Sequence, residues 1–286
     1  MNTVRRLYRE MAAVYDSAVG PAFAPLADGL ALWIGACVAA HQRGQLHDPF
    51  DLAPARAVHL PIWAADLGAG TGFLARRIAP MVAGVAAVDL SPEMLRAGPE
   101  SFTRVAADLH MLPFRAGAFG LVASSFGLNA TEPRRLLKAL ARITRPNGLL
   151  IFQEWGALDA LSGAVDDVLA DYLPDDLPEM APFTDPPRDW HTRLQDADDY
   201  RTAIRAAGFR WVWAEEDAFT PVRFSGPGPF IAYKMAWPAR RIAARALTDA
   251  GQEALYADLE AAIRPLCASD GSLTWSPPLM RVCAVR

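Results

Sequence analysis

Trp63 to Gly72 reads WAADLGAGTG. An apolar run from Pro61 to Ala65 gives way to one carboxylate, Asp66, and then to Gly68, Gly70 and Gly72 at alternate positions. The run predicts a buried strand, and Phe73 to Ile78 (FLARRI) predicts the helix that follows it. Glycines between a strand and a helix let backbone approach a ligand closely, because no Cβ intervenes.

Asp66 narrows the choice of ligand. In a dinucleotide site the turn amides and the helix N-terminus face a pyrophosphate, so a carboxylate at the strand end would add repulsion beside that anion. An acid there suits a cationic group better. The G-x-G-x-x-G fingerprint fails in its first register, where Phe73 takes the third glycine position, while Gly70, Gly72 and Ala75 satisfy the looser G-x-G-x-x-A form. The turn alone therefore leaves a nicotinamide-dependent oxidoreductase open.

Outward from the turn, Val85 to Leu90 (VAAVDL) is a second apolar run. It ends in an acid, Asp89, about twenty residues past the first glycine, where a carboxylate can take both hydroxyls of a ribose. Ser91, Pro92 and Glu93 predict a helix start, with a capping hydroxyl, a proline in the first turn and an acid favoured by the dipole. A third run ends at Asp108, before Leu112, Pro113 and Phe114. Phe119 to Ser125 predicts a fourth strand, and Pro133 to Thr144 a helix with Leu136, Leu137, Leu140 and Ile143 on one face. Leu149 to Phe152 predicts a fifth strand after Arg145, Pro146, Asn147 and Gly148.

Taken in order, DLGAGTG, VDLSPEML, ADLHMLPF and LARITRPNGLLIF resemble the motifs of the class I S-adenosylmethionine-dependent methyltransferases. The resemblance is to the branch that modifies small molecules, including quinone-biosynthesis types, and runs from Val4 to Phe224. It implies an α/β fold with a doubly wound, mostly parallel seven-stranded sheet in the order 3-2-1-4-5-7-6 and a helical cap. The last strand would enter antiparallel between the fifth and sixth.

The resemblance also implies roles for particular residues. Asp66 would hold the methionine ammonium of S-adenosylmethionine, and Gly68, Ala69, Gly70 and Gly72 would carry the turn under the cofactor. Asp89 would bind the ribose diol, and Leu90 and Met94 would pack on the adenine. Asp108 would meet the adenine amino group, with Leu109 beside the ring. Ser124, Ser125 and Phe126 would face the methionyl and methyl end. Tyr15, in a Tyr-Asp pair like one in the family's N-terminal helices, would reach the methionyl carboxylate. Gly120, Ala139 and Asn147 stand where the family has Asp, Glu and Gly, all in supporting structure.

Composition bounds the remaining possibilities. The chain has 286 residues, 52% of them apolar and 21% charged, which fits one large domain or one domain with a cap. A net charge of -4 offers no electrostatic footing for nucleic acid. Cys37, Cys267 and Cys283 are odd in number and widely spaced, which predicts neither a disulfide framework nor a zinc site and suits a cytoplasmic protein. His41, His47 and His59 fall in an irregular segment, Val38 to Leu60, at spacings that match no ligand pattern, so no metal is expected. Gly29 to Ala40 is too short to span a bilayer, and the N-terminus lacks the apolar core of a signal peptide.

Residues 1–60 read as N-terminal helices and an insertion that form a cap. Residues 61–286 read as the cofactor-binding domain, with acceptor-site insertions at about 155–195 and 225–265. Arg210 to Phe224 reads as one long strand, Arg240 to Leu266 as one amphipathic helix and Leu279 to Val285 as the terminal strand. Tyr172, Phe183, Trp190 and His191 form a polar-aromatic cluster suited to substrate contact, and Arg223, Tyr233 and Trp237 are further pocket candidates. Displacement at a sulfonium methyl needs orientation more than catalytic groups. Where an acceptor must lose a proton, His191 and Glu154 are the candidate bases, ahead of His110 and Tyr15. The aromatic content points to a small-molecule acceptor that is aromatic, quinone or polyketide-like; a homodimer stays open. Besides the oxidoreductase, two readings compete: a methyltransferase-fold protein without transfer activity, and an enzyme that uses the sulfonium charge for another reaction.

Overall fold

The computed structural model describes residues 3–46, 60–172 and 190–286. The chain divides into two compact units: residues 27–156, 186–217 and 279–286 form the first, and residues 1–26, 157–185 and 218–278 the second. The chain passes between the units inside a helix and returns to the first unit with its last residues.

The first unit holds a sheet of β1 (Leu60–Leu67), β2 (Val82–Asp89), β3 (Thr103–Ala106), β4 (Phe119–Ser125), β5 (Thr144–Trp155), β6 (Trp211–Asp217) and β9 (Leu279–Val285). Their order is β3-β2-β1-β4-β5-β9-β6. β9 runs antiparallel to β5 and β6, and the other pairs are parallel. This is the order that the resemblance implies. Helices cover both faces: α2 (Tyr15–Gln42) and α3 (Phe73–Ile78) supply one, α5 (Pro133–Ile143) and α8 (Ala197–Ala206) the other. Along β5, Leu149 and Ile151 join a core with Leu30, Ile34 and Leu74, while Leu150 and Phe152 point to the opposite core with Leu136, Leu140 and Ile204. Burial on both faces is why this strand reads as an unbroken apolar run.

α2 is longer than the sequence reading allows. Val38 to Gln42, expected to be irregular, continue the helix, and Val38, Ala39 and Ala40 are buried; alanine favours helix wherever its neighbours permit. The helix has 28 residues, with Pro21 and Pro25 inside it, and mean hydropathy 1.6 in its most apolar window. By length and composition it is therefore long and apolar enough to cross a membrane, and 72% of that window is buried.

The second unit contains α1 (Thr3–Met11), α6 (Ala160–Ala170), a β7 (Val222–Phe224) and β8 (Leu273–Trp275) pair, α9 (Pro227–Met235), α10 (Pro238–Arg245) and α11 (Asp249–Ile263). Arg210 to Phe224 is thus two strands in two sheets, interrupted before Pro221, which has no amide hydrogen for a ladder. Arg240 to Leu266 is likewise divided. Thr248 ends the first segment by capping the next helix, its hydroxyl accepting from Gly251 N at 3.2 Å. The unit's interior is aromatic: Phe224, Phe230, Tyr233 and Trp275 pack with ring centroids 5.3 to 6.1 Å apart.

Candidate functional site

β1, β2 and β4 run parallel with their carboxyl ends level, Asp66 standing opposite Ala87 and Ala123. Open α/β sheets bind ligands at this edge. The turn after β1 passes through three left-handed residues, Gly68, Gly70 and Gly72, with φ of 67°, 56° and 89°. Two of them also answer to the protein's own packing. A Cβ on Gly68 would stand 2.4 Å from Gly127 Cα, and one on Gly72 would stand 2.5 Å from the Phe102 ring. The alternate glycines therefore reflect a backbone crossing as well as ligand clearance, and Gly127, its partner after β4, is a site residue that sequence reading missed.

The turn is tied to the acids around it by backbone amides. Asp66 is 1% exposed, and its Oδ2 accepts from Ala75 N at 2.9 Å in the first turn of α3. Burial pushes its carboxyl up to about 7, against the lowering effect of that amide. Asp89 accepts from Gly70 N and from Ser91 N, each at 2.8 Å, one on each carboxylate oxygen. Burial raises its carboxyl above the ordinary range while these amides lower it. Asp89 thus joins the β1 turn to the start of α4 (Pro92–Ala97), where Ser91 Oγ accepts from Met94 N at 3.3 Å. Ala69 adds a further tie, its N–H donating to Val88 O at 3.0 Å. Leu90 is half-buried and Met94 buried.

Asp108 is exposed and caps a single turn that follows β3. Its Oδ1 accepts from His110 N at 2.8 Å and pairs with His110 Nδ1 at 3.1 Å, while His110 Nε2 accepts from Glu132 N at 3.0 Å. His110 therefore bridges two loops with both ring nitrogens engaged. Leu109 packs into the core with Leu112 and Phe119.

At the end of β4 the assigned residues diverge. Ser124 is fully buried and donates to Leu67 O at 2.6 Å, so its hydroxyl braces β1 against β4. Ser125 accepts from Gln153 Nε2 at 3.0 Å, and Gln153 Oε1 in turn accepts from the buried Arg281 at 3.4 Å. Phe126 has a φ of 62°, in the left-handed region that side chains other than Gly rarely adopt. It is held there by its N–H to Gln153 O at 3.0 Å and by stacking on Trp155, centroids 3.9 Å apart at 14°. A strained residue fixed from several sides at a ligand-binding edge is the pattern of a functional position.

The candidate bases fare differently. Glu154 is fully buried and accepts from Leu128 N at 2.9 Å and Asn129 Nδ2 at 3.1 Å. It anchors the loop after Phe126 through these two donors. His191 lies on α7 (Trp190–Arg193), with its side chain outside what the structure describes. Its neighbour Trp190 is fully buried in the sheet core, with Nε1 donating to Thr131 Oγ1 at 2.9 Å, so it is a packing residue rather than a substrate contact. Phe183, His47 and His59 fall outside the described residues. His41, expected in an exposed loop, sits on α2 with Nε2 3.0 Å from Asn147 O. Tyr15 opens α2 in the other unit, buried, edge-on to Phe23. In that unit too, Tyr172 donates its hydroxyl to Asp258, Tyr233 is buried among aromatic rings and Arg223 is exposed.

Two departures from the family pattern have local causes. A Cβ on Gly120 would come within 2.8 Å of Ile62 Cβ, so the strand position opposite Ile62 is left bare. Asn147 takes φ 60° in the turn before the apolar part of β5, a conformation that Asn tolerates better than most side chains. Ala139 is a partly buried contact on the sheet core.

Comparison with known proteins bears on the same segment. The methyltransferase domain family matches residues 65–152. Demethylmenaquinone methyltransferase of Mycolicibacterium gilvum is 38% identical over 118 residues, 41% of this chain and 51% of that protein. Malonyl-[acyl-carrier protein] O-methyltransferase of Halorhodospira halophila is 40% identical over 124 residues, 40% of this chain and 41% of that one. The chain spans about half the length, or less, of these curated relatives. Among solved structures, phosphoethanolamine N-methyltransferase 2 of Haemonchus contortus with S-adenosyl-L-methionine aligns at TM-score 0.47 and 15% identity, over 80% of this chain and 49% of that chain.

Proposed function

We propose that the chain, whose residues 65–152 match the methyltransferase domain family, transfers the methyl group of S-adenosylmethionine to a small-molecule acceptor. The observation that carries this reading is the pair of acids, Asp66 and Asp89, at the carboxyl ends of adjacent parallel strands on either side of a left-handed glycine turn. The donor set fits the cofactor. Each Asp89 oxygen has taken one amide and retains lone-pair capacity for a ribose hydroxyl. Asp66 offers a buried carboxylate to an ammonium, whose arrival favours the ionised form of a group that burial holds at about 7. Asp108, exposed beside a core leucine, suits the adenine edge.

Bound there, the cofactor supplies a methyl group already activated by its sulfonium. The chain's part is to orient: Gly68 and Gly127 set the path of the turn, and Phe126 on Trp155 presents a flat apolar wall after β4. Fixing the reacting partners in line is worth about 7 to 11 kcal/mol without a base. Where the acceptor must lose a proton, His191 is the candidate. Tyr15 as a ligand of the methionyl carboxylate rests on the resemblance alone. The acceptor class we favour is an aromatic, quinone or polyketide-like metabolite; the relatives named above act on a quinone and on a carrier-bound malonyl group. We place the reaction in the cytoplasm, without nucleic acid.

Calorimetry with S-adenosylmethionine, S-adenosylhomocysteine and NADH on the native chain and on Asp89→Ala tests the cofactor. Binding of the sulfur ligands, weakened about 100-fold or more in the variant, is expected from the loss of two charge-assisted hydrogen bonds. Binding of NADH alone would overturn the reading. Mass spectrometry of phenols and hydroxyquinones incubated with cofactor tests the acceptor: methylated product is expected, and methylation of small amines or acids instead would reject the aromatic class.

A further inference from the structure

The second unit carries a cleft of about 400 Å³, open to solvent on one side and formed where α9 meets α11 and residues just before and within the start of α2. Its size falls within the range of small-ligand sites, roughly 300 to 1,000 Å³. The walls are apolar: Val14 and Ala18 on one side, Ile231, Ala232 and Met235 along one face of α9. Val14, a large apolar residue, is 46% exposed there.

Three polar groups interrupt this surface, and their pairing is unequal. Glu260 forms an ion pair with Arg264, so its charge is already answered. Arg241 lines the same cleft, and its guanidinium has no hydrogen-bond or ion-pair partner among the described residues. Tyr256 brings a hydroxyl that is likewise without a partner among them. An apolar trough with one unanswered cation and one free hydroxyl donor is complementary to a molecule with an apolar body and a single anionic head. Arginine suits a carboxylate particularly well, because its planar fork can give two parallel hydrogen bonds.

We propose that this cleft binds a free amphiphilic carboxylate, its chain along the α9 face and its head group on Arg241 and Tyr256. Every residue that lines it belongs to the second unit.

Calorimetry of the full chain with decanoate and with decanol tests it. Saturable binding of decanoate is expected, with decanol weaker. Arg241→Gln should weaken decanoate about tenfold or more and leave decanol unchanged, while Ala232→Trp, at an exposed position on the α9 face, should fill the trough and abolish both. S-adenosylhomocysteine binding and thermal melting on the same variants establish that they are folded. No saturable decanoate binding by the native chain would overturn the proposal. So would a decanoate affinity that Arg241→Gln or Ala232→Trp leaves intact.

Discussion

The buried acids of the sheet unit and the buried lysine of the other unit are held by different means. In the sheet unit, Asp66, Asp89 and Glu154 each rest on backbone amides: Ala75 N, Gly70 and Ser91 N, and Leu128 N. In the other unit the buried Lys234 donates to the Ser162 hydroxyl and lies 4.3 Å from the centre of the Trp275 ring. Its counter-charge Asp159 accepts from Trp275 Nε1 at 3.0 Å and from the Ser162 hydroxyl, with one backbone amide, Ser162 N, at 2.9 Å. The longest-reaching amide contacts of the first set span 9, 19 and 26 residues, whereas Lys234 to Ser162 spans 72 and Trp275 to Asp159 spans 116. A carboxylate on backbone amides is part of a local motif. A lysine on side chains exists only once distant segments have packed.

The sharpest way to test that difference is pH. Asp66 carries its proton to about 7 when folded and to 3.8 when unfolded, so between these values the native state holds the extra proton and stability falls as pH rises. The loss is complete near pH 7, amounts to roughly 4 kcal/mol and stays constant above. Urea unfolding of Asp66→Asn should lack this slope, and a slope equal to the native chain's would break the assignment. Under the proposed function, the same titration should make cofactor affinity rise between pH 6 and 8, since an ammonium calls for the ionised acid.

Lys234 gives the mirror case in the second unit. Burial lowers it from 10.5 to about 8, partly offset by Asp159, so between those values the unfolded chain holds the extra proton and stability rises with pH. The gain is up to about 3 kcal/mol by pH 10.5, absent below pH 8. The chain has one other lysine, Lys138: the component should vanish in Lys234→Met and persist in Lys138→Met.

Smaller effects probe the backbone side of the comparison. Gly120→Ala puts a Cβ against Ile62 and should cost about 1 to 3 kcal/mol in urea unfolding, with most of that recovered when Ile62→Ala is added. Additive costs would mean that the close approach is not the cause. Smallest, Thr248→Ala removes a helix cap in the second unit and should cost about 1 kcal/mol without changing the Lys234 slope.

Legibility followed the same division. β4, α5, β9 and the cap residue Ser91 were readable because each depends on its own period or on a neighbour a few residues away. Asp66 and Asp89 were readable as the acids that flank the glycine turn because the motif places them. Their amide partners were not, since Ala75 N and Gly70 N are hidden in any sequence. Glu154 read as a candidate base, and nothing local shows that Leu128 and Asn129 fold back onto it. The length of α2 was obscured by its prolines and by the alanines that end it, and the single strand expected over Arg210 to Phe224 ignored that β7 needs β8 as a partner.

From the sequence came the glycine turn and the acids beside it, because spacing and periodicity act within a few tens of residues, and, through the family resemblance alone, the sheet order. Tertiary structure decided which polar groups are spoken for. It turned Ser124 and Glu154 into braces, left Gly120 bare for Ile62, set Phe126 in a strained conformation against Trp155 and left the Arg241 guanidinium without a partner among the described residues. The physical reason is that a hydrogen bond or a van der Waals contact is settled over a few ångströms, and only the folded chain brings residues so far apart in sequence to that distance.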